Sequence, residues 1–151
     1  MIREATGDDA ADIARIVNAA FLVEQEFRPG DRTSQAEIAA LIERRQMLVC
    51  DQGGHLIGAV QVSVKDKAGY FGMLAVDPAL QGSGLGRKLL AAAEAHCREA
   101  GCSEMTMSTG EDRKELVQWY ERQGYKVTSA AASDNPAFNR RIRVVQMSKP
   151  L

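Results

Sequence analysis

The residues best suited to chemistry form a glycine-rich segment, Gln81-Gly82-Ser83-Gly84-Leu85-Gly86-Arg87. Three alternating glycines let successive backbone N–H groups point the same way without a Cβ clash. An apolar strand ends at Val76 just before the segment, and an amphipathic helix follows it. The unpaired donors and the dipole of the helix start add to such a site, for which phosphate is the usual ligand. The sequence therefore predicts a phosphorylated cofactor; a flexible turn without a ligand is the alternative.

Counting residues separates three phosphate-binding motifs. The dinucleotide fingerprint needs its third glycine at position 87, and the phosphate loop of nucleotide hydrolases needs its second glycine there. This chain has Arg87 at that position, so both motifs fail. What remains is Gln-x-x-Gly-x-Gly over residues 81–86, after the strand end at residues 74–78. That pattern resembles the pyrophosphate loop of the GNAT superfamily, the acetyl-CoA-dependent N-acetyltransferases.

A second segment, residues 116–125, resembles the other signature of that family, a helix that ends Tyr-Glu-x-x-Gly-Phe/Tyr before a strand. The resemblance implies that Tyr120 lies beside the cofactor sulfur and donates a proton to the departing CoA thiolate. A phenol is a plausible donor to a thiolate whose conjugate acid has a pKa near ~8.5. Spacing alone would make Tyr120 a core residue. The family often has Asn and Ala at the positions of Arg113 and Leu116. Arg113 could contact a phosphate instead, but by default we expect it to face solvent.

The resemblance also implies how acetyl-CoA binds as co-substrate. The backbone of residues 74–76 would pair with the amide-rich pantetheine arm like an added strand, and a donor there could polarise the thioester carbonyl. Backbone N–H groups of residues 81–87 would hold the pyrophosphate. The cofactor-binding residues implied in this way are Leu74, Ala75, Val76, Gln81, Gly82, Ser83, Gly84, Leu85, Gly86 and Arg87.

The catalytic base has a weaker signal in the sequence. The acceptor amine must lose a proton before it attacks, yet residues 70–76 offer no carboxylate where the family often places one. Glu24 and Glu26, in the segment after the first helix, are the candidate bases and would act through water. The alternative is that both are solvated charges beside a loop.

The acceptor is not identified by the sequence. Arg140, Arg141 and Arg143 precede or enter the last strand and could suit an acidic acceptor, although a solvated sheet edge with charges against aggregation is the simpler interpretation. The loop around Asp134 could equally recognise an amine. We expect a small-molecule primary amine rather than a protein tail.

Composition limits which other classes of protein this chain could belong to. A length of 151 residues fits one domain, residues 1–151, and a net charge of −1 gives no electrostatic reason for a nucleic-acid partner. No apolar run approaches the ~20 residues that span a membrane, and the N-terminus lacks a secretory pattern, so we expect a cytoplasmic protein. Three cysteines without C-x-x-C spacing and two distant histidines, His55 and His96, argue against a metal site.

Hydrophobic periodicity places these motifs in an α/β order. Strands are predicted at residues 2–5, 47–50, 56–65, 70–76, 105–109, 125–130 and 142–147, and helices at residues 10–21, 34–42, 85–100 and 114–123. Residues 129–138 are predicted to form a loop. The order is similar to the GNAT fold, a mixed, mostly antiparallel central sheet flanked by about four helices.

Two of the helix starts carry local signals. Thr6 with Asp9 three residues later approximates a capping box before the first helix. Ser34 or Thr33 could cap the second helix.

We therefore expect a single-domain N-acetyltransferase that moves an acetyl group directly to a primary amine in a ternary complex, because no cysteine lies near the predicted thioester to carry it. Two other functions stay open. One is a non-catalytic acyl-CoA-binding sensor or regulatory module, and the other is a nucleotide-binding regulator that rests only on the glycine segment. The resemblance also allows a homodimer.

Overall fold

The computed structural model describes all residues, 1–151, and has the predicted order of elements. The strands are β1 (Ile2–Glu4), β2 (Met47–Gln52), β3 (His55–Lys65), β4 (Ala68–Val76), β5 (Glu104–Gly110), β6 (Lys126–Ala132) and β7 (Arg143–Pro150). The helices are α1 (Ala10–Ala20), α2 (Gln35–Glu43), α3 (Leu85–Glu99) and α4 (Lys114–Arg122). None of these helices is long and apolar enough to cross a membrane.

One sheet of seven strands forms the centre, in the order β1-β2-β3-β4-β5-β7-β6. Every neighbouring pair is antiparallel except β4 and β5, which run parallel. The predicted fold class, a mixed and mostly antiparallel sheet with four helices, is confirmed.

Alternation along the strands divides the core into two clusters, one on each face of the sheet. Helices α1 and α2 cover one face, where Ile13, Val17 and Ile38 pack on Val49 and Ala59. The other face is covered by α3 and by Tyr120 of α4, and its buried members include Phe71, Leu89, Cys97, Met105 and Tyr125. Cys50 and Cys97 are both buried on this face.

The parallel pair separates soon after it forms. Only Ala68–Tyr70 of β4 pair with β5, through Glu104–Thr106. Beyond that point the rest of β5 continues to pair with β7, so β4 has no partner on this side from Phe71 to Val76. An extra residue also interrupts the β3–β4 register near Met73, whose φ is +48°. A β-bulge of this kind bends a strand away from its neighbour and occurs often beside functional sites.

Two predictions about the C-terminal strands are wrong. Residues 131 and 132, predicted only as loop, are the end of β6, because Ser129 to Ala132 pair with Gln146 to Arg143 of β7. Alanine and serine have weak strand preference, so the neighbouring strand decides their conformation. Strand β7 is also not a sheet edge, since β5 and β6 flank it. Arg143 lies on this inner strand and pairs with Glu111 at 3.1 Å.

Local signals placed the helix starts well. Ser34 accepts a hydrogen bond from the N–H of Glu37 at 3.1 Å, which is the predicted cap of α2. Thr6 and Asp9 form the predicted capping box, which closes a 3₁₀ turn that leads into α1.

Candidate active site

A cavity of about 790 Å³ opens where β4 and β5 separate. Its wall comes from six parts of the chain: β4, the glycine segment with the start of α3, the end of β5, α4, the α1–α2 connection and the β6–β7 connection. Because β4 loses its strand partner here, its backbone edge borders the cavity. The divergence of one strand pair thus creates both the space and an unpaired polar edge.

The glycine segment turns the chain from β4 into α3. Asp77 caps a 3₁₀ turn at Pro78–Leu80 by accepting from the N–H of Ala79 at 3.0 Å. Gly82 and Gly84 then adopt φ values of +86° and +85°, which residues with a Cβ rarely adopt. The first helical hydrogen bond runs from Lys88 N to Gly84 O at 3.3 Å.

The backbone donors of this turn have no acceptor within the chain. The N–H groups of Leu85, Gly86 and Arg87 make no hydrogen bond to protein, as expected for the first residues of a helix. Gly86 lies against Trp119, a neighbour that sequence reasoning did not identify. Free donors at a helix start, together with the helix dipole, are chemically suited to an anion.

Most of the cofactor-binding residues implied by the sequence border this cavity. Those that do are Leu74, Val76, Gln81, Gly82, Gly84, Leu85, Gly86 and Arg87. Ala75 instead points into the core beneath α1, since alternate residues of a strand face opposite sides, and Ser83 and Lys88 lie outside the lining.

Tyr120 lies in the cavity wall on α4. Its ring packs against Phe71 at 5.6 Å, Trp119 at 5.0 Å and Tyr125 at 6.0 Å between centroids. Its hydroxyl makes no hydrogen bond to protein. Burial raises the pKa of the Tyr120 phenol above its ordinary value, and the positive charge of Arg113 opposes that rise. The phenol is therefore a protonated donor without a protein acceptor.

Glu24 and Arg113 form an ion pair in the same wall. Arg113 Nη1 donates to Glu24 Oε2 at 2.7 Å, and the two side chains are only 15% and 12% exposed. Arg113 also donates through Nε to Glu115 at 2.7 Å. The expectation that Arg113 faces solvent is wrong, and so is the interpretation of Glu24 as a solvated charge, because each partly buried side chain supplies the countercharge of the other.

Glu26 is placed differently from Glu24. Its side chain is 80% exposed, its carboxylate lies 3.8 Å from Arg140, and it does not line the cavity. The two glutamates that the sequence treated alike are thus separated by the structure, with Glu24 inside and Glu26 outside.

Two further arginines line the cavity, Arg28 and Arg32 of the α1–α2 connection. Arg28 stacks over Phe138 at 5.7 Å and Arg32 over Phe21 at 5.4 Å. Burial, together with repulsion from Arg32, lowers the pKa of the Arg28 guanidinium below its ordinary value. Sequence reasoning missed both residues, and the only signal for them is their position in a loop beside Glu24.

The sequence has curated relatives that match part of the chain. A mycothiol acetyltransferase of Propionibacterium freudenreichii subsp. shermanii is 34% identical over 91 residues, which cover 58% of this chain and 29% of that protein. The chain thus spans about a third of the length of such a relative.

Solved structures resemble the chain over its whole length. The yncA protein of Salmonella typhimurium, solved with its cofactor acetyl-CoA, has a TM-score of 0.81 at 26% identity, with coverage of 100% of this chain and 93% of that one. A ribosomal-protein-alanine N-acetyltransferase of Brucella melitensis has a TM-score of 0.84 at 19% identity, with coverage of 100% and 99%, and shares the fold.

The acetyltransferase (GNAT) family itself matches residues 10–125, from the start of α1 to the tyrosine that follows α4. That range includes the glycine segment, Tyr120 and Glu24, all of which border the cavity. The chain belongs to the GNAT acetyltransferase family.

Proposed function

We propose that this chain transfers an acetyl group from acetyl-CoA to the primary amine of a small molecule, by direct attack in a ternary complex. The observation that carries the proposal is the meeting, in one cavity, of the unpaired edge of β4, the free donors at the start of α3 and the hydroxyl of Tyr120. The first two features suit binding of the co-substrate, and the third suits departure of a thiolate.

Acetyl-CoA matches the polar groups that the cavity leaves without partners. Its pyrophosphate would accept from the N–H groups of Leu85, Gly86 and Arg87, which have no acceptor in the chain. Its pantetheine amides would pair with the backbone of Leu74 and Val76 like an added strand, because β5 does not pair with β4 beyond Tyr70. A volume of about 790 Å³ falls within the range of small-molecule sites.

Glu24 is the proposed base. The acceptor amine is mostly protonated near neutral pH, since primary amines such as lysine have a pKa near ~10.4. A proton would pass from the ammonium group to the Glu24 carboxylate, through a water molecule, and then to solvent. Arg113 holds that carboxylate in place at 2.7 Å. Glu24 would thus supply the carboxylate base that β4 lacks.

Tyr120 is the proposed donor to the leaving group. As the amine nitrogen bonds to the acetyl carbon and the carbon–sulfur bond breaks, the phenol proton would move toward the sulfur and be replaced from solvent. Burial raises the pKa of Tyr120, which keeps it protonated before the reaction. The same desolvation would disfavour a free thiolate in the site, so the departing sulfur would gain from receiving a proton.

Direct transfer is favoured over a covalent acetyl-cysteine. Cys50, Cys97 and Cys102 are all buried, and none of them lines the cavity. Burial raises the pKa of the Cys97 thiol to about 11, which leaves little thiolate near neutral pH. No cysteine is therefore placed in the cavity to carry the acetyl group.

The proposal is tested by incubating the protein with acetyl-CoA and a panel of primary amines, with measurement of thiol release and of product mass. We expect CoA release coupled one-to-one to N-acetylated amine, with no acetylated cysteine in protein quenched during turnover. An acetyl group trapped on Cys50, Cys97 or Cys102 would contradict direct attack, and cofactor binding without any product would favour a sensor.

A further inference from the structure

Arg28 and Arg32 are two cavity-lining cations without an anionic partner. Neither guanidinium forms an ion pair or a hydrogen bond with any residue. Of the other charged side chains in the lining, Glu24 and Arg113 pair with each other, and Arg87 is also unpaired. Glu24 and Glu37 attract Arg28, but Glu24 is bonded to Arg113 and Glu37 to the hydroxyl of Thr33. Since no buried side-chain nitrogen lacks a partner, the unbonded nitrogens of Arg28 and Arg32 remain open to solvent.

Both arginines are held in place by their neighbours. Each guanidinium lies over an aromatic ring, Arg28 over Phe138 and Arg32 over Phe21, an arrangement that arginine favours. Holding two like charges on one side of a cavity is unfavourable without an anion between or beside them. Aromatic stacking fixes their position but leaves their hydrogen-bond donors free.

The segment that carries them is anchored at both ends. At Phe27, the carbonyl accepts from Asn139 N at 2.9 Å, and the ring packs on Phe138. At Thr33, the backbone N–H donates to Asn18 Oδ1 at 2.9 Å and the carbonyl accepts from Asn18 Nδ2 at 3.1 Å. The donors of Arg28 and Arg32 are thus positioned before any ligand binds, which lowers the entropic cost of binding.

Charge in the cavity is distributed in a way that suits a zwitterion. Arg28 N donates to Glu24 O at 2.8 Å, so the unpaired guanidinium and the proposed base lie on adjacent turns of one segment. Glu24 favours an ammonium group, and Arg28 with Arg32 favours an anion in the same cavity. The phosphates of the co-substrate have their own donors at the start of α3, on a different segment.

We infer that the acceptor is a primary amine that also carries a carboxylate, as an amino acid does, with Arg28 and Arg32 as its carboxylate-binding residues. This inference rests on the proposed acetyl transfer. Guanidinium groups bind carboxylates through paired, charge-assisted hydrogen bonds, and a carboxylate would relieve the repulsion between the two arginines. The pair therefore determines acceptor specificity rather than the chemical step.

The test compares matched acceptors. Protein with acetyl-CoA is given a panel of L-amino acids and ω-amino acids, each beside the amine that results from its decarboxylation, and kcat/KM is measured for each. We expect the carboxylate to improve kcat/KM by about tenfold to a hundredfold, the range of a charged hydrogen-bonding group. Arg28→Gln and Arg32→Gln should each remove most of that preference, mainly through KM.

The matched control is Arg98→Gln, which removes the same charge from an exposed position on α3 outside the cavity and should leave the preference unchanged. Equal use of the decarboxylated amines, or a preference that survives both variants, would overturn the inference and leave acetyl transfer standing. Preferred use of aminophosphonates would overturn the carboxylate assignment. Failure to bind acetyl-CoA, in contrast, would overturn the proposed function and the inference with it.

Discussion

Arg113 Nη1 and Glu24 Oε2 lie 2.7 Å apart although 89 residues separate them in the sequence, and both side chains are largely buried in the cavity wall. The pair joins the α1–α2 connection to the start of α4, the helix that carries Tyr120. Through this contact the proposed base and the proposed proton donor are held in one site. The geometry also explains how a strand without a carboxylate can line a site for amine chemistry.

The Glu24–Arg113 ion pair predicts that substitutions of Glu24 and Glu26 have different effects. Glu24→Gln should lower kcat by about a hundredfold or more, because a positioned base contributes that much, with little change in CoA affinity. Glu26→Gln is the matched control and should be neutral, since Glu26 is exposed and outside the cavity. Steady-state kinetics on both variants checks this, and equal losses in the two would remove Glu24 from its proposed role.

Replacing Tyr120 separates an enzyme from a sensor. Tyr120→Phe should lose most of its turnover and keep its CoA affinity. Its free energy of unfolding should change by less than about 0.5 kcal/mol, because the hydroxyl makes no hydrogen bond in the protein. Thiol-release assays, calorimetry and urea denaturation measure these three quantities. Undiminished turnover would exclude Tyr120 as the proton donor.

The glycine segment can be tested with a control of equal backbone strain. Gly84 and Gly101 have φ values of +85° and +89°, at the start and after the end of α3, and both have room for a Cβ. Gly84→Ala and Gly101→Ala should each cost about 1 kcal/mol of stability. Only Gly84→Ala should weaken acetyl-CoA binding, as measured by calorimetry. Equal weakening in both variants would indicate a global effect instead.

Two buried tyrosines predict loss of stability at high pH. Burial raises the pKa of Tyr120 and of Tyr125, whose hydroxyl donates to Glu94 at 2.7 Å. The unfolded chain releases these protons near pH ~10, so their contribution is complete below that pH and falls as the pH rises above it. Above that pH, each phenol lowers the free energy of unfolding by about 1.4 kcal/mol per pH unit, and this is its contribution to the slope of stability against pH. Urea denaturation between pH 9 and about 11.5 should show a smaller slope for Tyr120→Phe and for Tyr125→Phe; an unchanged slope would contradict the burial argument.

The sequence predicted well where the determining contacts are local. The turn at Gly82 and Gly84 needs only backbone freedom within a few residues, and the cap at Ser34 needs only the N–H of Glu37. Periodicity gave the correct order of strands and helices, and the two motifs at residues 81–86 and 116–125 gave the resemblance to the family that matches. The catalytic and cofactor-binding roles assigned to individual residues of the cavity remain predictions.

The sequence predicted poorly where distant segments decide the outcome. Arg113 was expected in solvent because its partner, Glu24, is 89 residues away and no local pattern links the two. Arg28 and Arg32 were missed since their significance depends on Phe138, Phe21 and the absence of a carboxylate partner. Ala131 and Ala132, predicted as loop, form a strand because β7 lies beside them.

The most direct test of the central claim is calorimetric titration of the protein with acetyl-CoA and with free CoA. The proposed site predicts saturable one-to-one binding of both, with tighter binding than ATP or NAD in competition. Absence of binding to folded protein, or a clear preference for ATP or NAD, would contradict the assignment of the glycine segment and the acetyl transfer proposed from it.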